Sequence, residues 1–164
     1  MSVRPRSASA RPEWATATPR AHPTATPVGA AIILQVQPAS AATGLWSIVQ
    51  WQGSDGVSWN EPQMLAGIEL GDYQVSWRQG KRVATAFDFH PAPVGLNARA
   101  NIYYLESADL GKTWRTAGGQ TVQPPLSATN NPALAYDTRA EGLLAYLKDV
   151  NFDRAGHPVI LFLT

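Results

Sequence analysis

Ser107-Ala108-Asp109-Leu110-Gly111-Lys112-Thr113-Trp114 decides how this chain folds, because it spells out a hairpin residue by residue. It follows Asn101-Ile102-Tyr103-Tyr104-Leu105, an apolar aromatic run of the kind that makes a buried strand. Asp and Ser side chains then accept hydrogen bonds from turn amides, and Gly takes a positive φ. Thr113-Trp114 restarts a strand with a large ring available to pack. The stretch is informative about architecture and nearly silent about chemistry.

A second hairpin of similar design lies upstream. Leu45 to Gln52 reads as a strand, Gly53-Ser54-Asp55-Gly56 as a turn, and Val57-Ser58-Trp59 as the next strand. Gly56 stands three residues before Trp59 as Gly111 does before Trp114, although the Asp is displaced by one and the leading Ser is replaced by Gln52. The two Trp residues are 55 apart, a spacing suited to one unit of a repeat. Between them, Tyr73–Trp77 and Val83–Phe89 read as strands separated by a turn at Gln79-Gly80-Lys81. With 101–106 and 113–116 they make four strands in order. Further on, a long polar connection through Pro124-Pro125 and Asn130-Asn131-Pro132 leads to strands expected at 143–150 and 158–163.

Composition agrees with an all-β chain. Only 15% of the 164 residues are charged, 45% are hydrophobic, and there are six Trp. The net charge of +1 gives no electrostatic reason to expect nucleic acid or an anionic membrane as partner. With no Cys there is no thiol nucleophile, disulfide or thiolate metal site, and three scattered His do not make a metal centre. No metal or cofactor is expected. No apolar run reaches the roughly 18–20 residues of a membrane span, and Arg4, Arg6 and Arg11 are not followed by the apolar core of a signal peptide. Residues 1–44 are rich in Ala, Pro, Thr and Arg and are expected to form a disordered leader, with the folded segment at 45–164.

The pattern Ser-x-Asp-x-Gly-x-Thr-Trp at 107–114 resembles the Asp box of the BNR repeat in sialidase-like β-propellers. Tyr73-Gln74-Val75-Ser76-Trp77, Phe89-His90-Pro91, Asn101 to Ser107 and Tyr146 to Val150 resemble neuraminidase-type and polysaccharide-processing members of that superfamily. The resemblance covers about residues 45–164. It implies a partial β-propeller of antiparallel four-stranded sheets, about two blades arranged as half blade, full blade and half blade. A ring closes with about four to eight blades, so the chain is expected to be a segment of a longer propeller whose remaining blades are its partners. The resemblance also implies a carbohydrate ligand, an acidic glycan or polysaccharide, and a secreted or periplasmic location. A glycoside hydrolase, a polysaccharide lyase, a non-catalytic binder and an inactive truncated product all remain open. Relatives of this kind are expected to carry His ahead of the Tyr73–Trp77 segment, where this chain has Asp72.

Blade geometry sorts the candidate residues. Loops joining strands two to three, and four to the next blade, share one rim; the Asp boxes join strands three and four and lie on the other. Ser107, Asp109, Gly111, Thr113 and Trp114 are therefore expected to be structural. On the first rim, His90 offers an acid or base near neutral pH, or else a strand-end His with a backbone partner. Arg99 can hold a carboxylate in a bidentate fork, or pair within the sheet. Tyr73 is a candidate general acid, or a core aromatic. Asp72, Asn97 and Arg139 are candidate substrate-binding residues on the same rim.

Overall fold

The structure is a computed structural model and describes residues 31–38, 46–55 and 57–164. Its strands form three antiparallel sheets. The first holds β1 (Ala31–Pro38), β2 (Trp46–Gly53) and β3 (Gln63–Ala66) in that order. The second holds β4 (Asp72–Gln79), β5 (Arg82–Phe89), β6 (Ala100–Ser107), β7 (Trp114–Arg115) and β8 (Thr121–Val122), with β9 (Leu134–Tyr136) pairing on β6. The third pairs β10 (Tyr146–Phe152) with β11 (Pro158–Leu163). The chain is thus all-β, a partial β-propeller in which the four-stranded blade β4–β7 stands between two incomplete ones.

Three expectations about the ladder need correcting. The sheet before the full blade has three strands, because Ala31–Pro38, inside the expected leader, pairs residue for residue with β2. Its run Ile32-Ile33-Leu34-Gln35-Val36 has the β-branched, apolar character that favours a strand. Residues 1–30, the rest of the expected leader apart from 39–44, lie outside the described residues, as do 39–44 themselves. The last strand of that sheet is β3 and not 57–59. Asp55 Oδ1 accepts from the amides of Val57 (2.8 Å) and Ser58 (2.7 Å), so these residues belong to an Asx turn, and Trp59 makes a single bridge to Gly53. Finally, β10 begins at Tyr146 rather than Leu143, since the Ala145 amide is taken by the Arg99 carbonyl at 2.8 Å.

The full blade separates two apolar clusters, and the period of two in β5 explains why. Val83, Phe87 and Phe89 face the preceding sheet and join Ile48, Leu65, Ile68, Tyr103, Leu105 and Trp114. Phe87 and Tyr103 stack with centroids 5.0 Å apart. Ala84 and Ala86 face the other way, where Ile102 and Tyr104 meet Ala145, Leu147 and Val150 from β10. Two small side chains on that face let the neighbouring sheet approach closely.

The Asp-box hairpin forms as its residue types require. Ser107 Oγ accepts from the Gly111 amide at 2.7 Å, and Asp109 accepts from the Thr113 amide (2.9 Å) and hydroxyl (2.8 Å). Gly111 has φ +83°, and a Cβ there would run into Ile32 Cδ1 and the Gln50 amide oxygen. The Trp114 indole N–H donates to Gln50 Oε1 at 2.9 Å, which ties the hairpin to β2 of the preceding sheet.

Candidate functional site

The connections 67–71, 90–99 and 129–145 converge on the rim opposite the Asp box, whereas 123–125 still lie beside Gly111, Lys112 and Thr113. Leu70 donates its amide to the His90 carbonyl (3.1 Å), and the His90 amide donates to the Gly71 carbonyl (2.7 Å). Arg139 Nη1 lies 3.7 Å from Glu69 Oε1, while Glu69 Oε2 accepts from the Ala92 amide at 2.7 Å. The Arg99 carbonyl receives the Ala145 amide, so the third sheet is tied to this rim as well.

Strand register brings the polar side chains together. Asp88 continues the Ala84, Ala86 face of β5, and His90 follows two residues later on the same side. Tyr73 pairs directly with Asp88 across β4 and β5, so it shares that face. Arg99 leaves the short 3-10 turn Gly95–Ala98 and places its guanidinium 4.7 Å from the Tyr73 ring centroid and 5.8 Å from that of Tyr146. The result is a cluster of Tyr73, Asp88, His90, Arg99 and Tyr146 where β4, β5 and β10 meet.

Its electrostatics follow from burial. Asp88 is fully buried; Oδ2 accepts from the Leu147 amide at 3.3 Å and Oδ1 has no hydrogen-bond partner. Burial pushes this carboxyl up to about 7, against the pull of the Leu147 amide and of Arg99. His90 Nε2 is also buried without a hydrogen bond, 3.9 Å from Asp88 Oδ1, and the His90 side chain keeps a 6 % exposed edge. Burial, and then the Arg99 charge, hold His90 below its ordinary value, so at pH 7 the ring is neutral and can accept a proton. Among the described residues Arg99 Nε is buried and unpartnered and the guanidinium makes no ion pair, so aromatic faces hold it.

The other sequence candidates lie around this cluster. Asp72 is next to Tyr73 in sequence but on the opposite face, because it pairs with Phe89. It is 1 % exposed, Oδ2 accepts from the Ile68 amide at 3.3 Å, and burial, with the Asp88 charge adding to it, pushes it up to about 8. Arg139 is exposed, with its amide donating to Asn101 Oδ1 at 3.1 Å, and Asn97 is exposed in the 3-10 turn. Asp88, Tyr146 and Glu69 were not singled out from the sequence. Asp88 did leave a signal there: an acid between two Phe in a buried strand needs a reason. Among the described residues no group of three His, Asp or Glu is placed to hold a metal ion.

Comparison with known proteins agrees with this architecture. A family profile described as "BNR repeat-containing family member" matches residues 49–164. The chain therefore belongs to the BNR repeat family. None of the curated proteins matches it. Among solved structures, an ulvan lyase, a polysaccharide lyase solved both alone and bound to -[GlcA(1-4)Rha3S]-, superposes with a TM-score of 0.60 at 16% identity in each case. Each match covers 79% of this chain and 36% of the other, so the chain spans about a third of the length of those lyases. At that identity the likeness is one of fold.

Proposed function

We propose that this rim acts on an acidic polysaccharide by β-elimination at a uronate. The observation that carries the reading is a single arginine held between two tyrosine rings beside a buried, neutral histidine. Elimination needs those parts. Arg99 would bind the uronate carboxylate and stabilise the charge that develops when the C5 proton leaves. His90 would take that proton. Tyr73, 39 % exposed and in contact with Arg99, would donate its hydroxyl proton to the glycosidic oxygen at C4. The C4–O bond breaks, a C4=C5 double bond forms, and one proton has been accepted and one donated, so the step balances.

A hydrolase fits less well. Glycosidases of the usual kind flank the scissile bond with two carboxylates separated by about 5–9.5 Å. The carboxyls packed at this cluster, Asp88 and, behind the sheet, Asp72, are 0 % and 1 % exposed, whereas the His90 side chain keeps a 6 % edge at the surface; Glu69, the partly exposed acid nearby on the rim, is engaged by the Ala92 amide and Arg139. The fold likeness to an ulvan lyase that binds a GlcA-containing saccharide supports the choice of substrate class. Arg139 and Asn97, exposed on the same rim, would contact neighbouring sugars. Carbohydrate remains the expected partner, with further blades supplying the rest of the cleft.

The test is to follow absorbance of the unsaturated product during digestion of a uronate-bearing polysaccharide by the whole protein. His90→Ala and Arg99→Ala should each lower the rate at least a hundredfold. Binding of polymer with no unsaturated product from the wild type would favour a non-catalytic propeller instead.

A further inference from the structure

The rim that carries the Asp box has a feature that its structural role does not use. A concavity of about 560 Å³ is lined by Gln52, Gly53, Arg78, Lys81, Ala108, Asp109, Leu110 and Lys112. A second, of about 310 Å³, shares Gln52, Gly53 and Lys112 with it and adds Ser54, Ser58, Trp59 and Asn60. The two make a continuous trough from the β4–β5 turn, past the Asp box, to Trp59.

Its charge is uneven. Residues 45–164 are slightly acidic, yet three of their nine Lys and Arg line the larger concavity. Among the described residues Arg78, Lys81 and Lys112 take part in no ion pair, and Arg78 Nε donates to the Gly80 carbonyl at 2.7 Å. The one acid in the lining, Asp109, has its carboxylate committed to Ser107 Oγ and to the Thr113 amide and hydroxyl. At the far end stand a half-buried indole, two hydroxyls and an amide. Cations beside an aromatic face and small polar groups suit an anionic saccharide. The cations meet sulfate or carboxylate, the indole covers the apolar face of a sugar ring, and the hydroxyls and amide meet ring hydroxyls.

We propose that this trough is a second, non-catalytic binding site for the acidic polysaccharide, holding the polymer on the rim opposite the His90 and Arg99 cluster. It rests on the reading of the protein as one that acts on such polymers. Because it lies on the other rim, it would raise affinity for long chains and leave turnover of short ones unchanged.

Calorimetry with the sulfated GlcA–Rha polymer tests it on the whole protein. Arg78→Gln/Lys81→Gln/Lys112→Gln should weaken polymer binding about tenfold or more and remove most of its salt dependence. Lys81→Arg/Lys112→Arg should bind as the wild type, and Trp59→Ala should bind more weakly. The triple variant should digest a short oligosaccharide at the wild-type rate. Unchanged polymer affinity in the triple variant overturns the proposal, as does tighter binding of a single-stranded DNA oligonucleotide than of the polymer. Full turnover in His90→Ala sinks the elimination reading and leaves the trough standing.

Discussion

Two buried carboxyls set much of how this protein should respond to pH. Asp72, pushed up to about 8, and Asp88, pushed up to about 7, hold protons in the folded state that their unfolded forms release near pH 4. The folded state therefore binds more protons between those values, and stability falls as pH rises from about 4 to 8. His90 acts in the opposite sense: its lowered value means the unfolded chain binds the proton more readily, so its contribution rises with pH up to about 6.5. The two carboxyls outweigh it. Thermal melts should show Tm falling between pH 5 and pH 8, and Asp72→Asn should remove a large part of that slope. A wild-type Tm that climbs over the same range would contradict the assignment. At the residue scale the site is only partly legible in the sequence. His90, Arg99 and Tyr73 were legible as chemistry-bearing types on one rim. Asp72 and Tyr73 are neighbours in the chain and share the rim, but a strand sends neighbours to opposite faces, so only Tyr73 joins the cluster. Tyr146 comes from 47 residues beyond Arg99, and no local pattern announces that contact.

Among the elements, the Asp-box hairpin was the most readable, since its hydrogen bonds join residues within four positions of one another. Asp109→Ala leaves the Thr113 amide and hydroxyl without their acceptor and should cost about 1–2 kcal/mol. Denaturant unfolding measures this, and the rate at the opposite rim should not change. Less readable was what the hairpin leans on. Gln50, 5 % exposed on β2, accepts from Trp114 Nε1, and its own amide donates to the Gly111 carbonyl (3.2 Å) and to Gln63 Oε1 (3.1 Å). Gln50→Leu keeps the apolar volume but strands a buried indole N–H and a carbonyl, so it should destabilise by about 2–3 kcal/mol, more than Asp109→Ala. An equal or smaller loss would mean that the hairpin stands by itself. The degraded upstream box shows the limit of the motif: Asp55 still captures two amides, but the strand that should follow at 57–59 reduces to one bridge.

At the scale of the molecule, β11 alternates half-buried Ile160 and Phe162 with Val159, Leu161 and Leu163, which are 52–58 % exposed. A strand apolar on both faces is built to lie between two layers. Among the described residues only one of those layers is present, so the other face is sticky as it stands. The 164-residue chain should run above its monomer mass in gel filtration at micromolar concentration. Leu161→Thr/Leu163→Thr should shift it toward the monomer; a wild type that is monomeric at all concentrations tested would argue against this. Blade order and all-β class were legible at this scale, because turn signals and strand runs repeat along the chain. The strand at Ala31–Pro38 was obscured by the Pro- and Ala-rich sequence around it.

Arg82 reaches in three directions. Its guanidinium pairs with Glu106, which also accepts from the Tyr104 hydroxyl at 2.7 Å; it donates to the Gly156 carbonyl at 2.6 Å, and it lies 4.0 Å from the centroid of the Phe152 ring. The first contact is within the full blade, and the other two belong to the β10–β11 hairpin. One side chain thus works as a rivet through two adjoining plates, fixing them against sliding at the rim farthest from the His90 cluster. Blades joined in this way share load, so pulling or heating one transmits to the next.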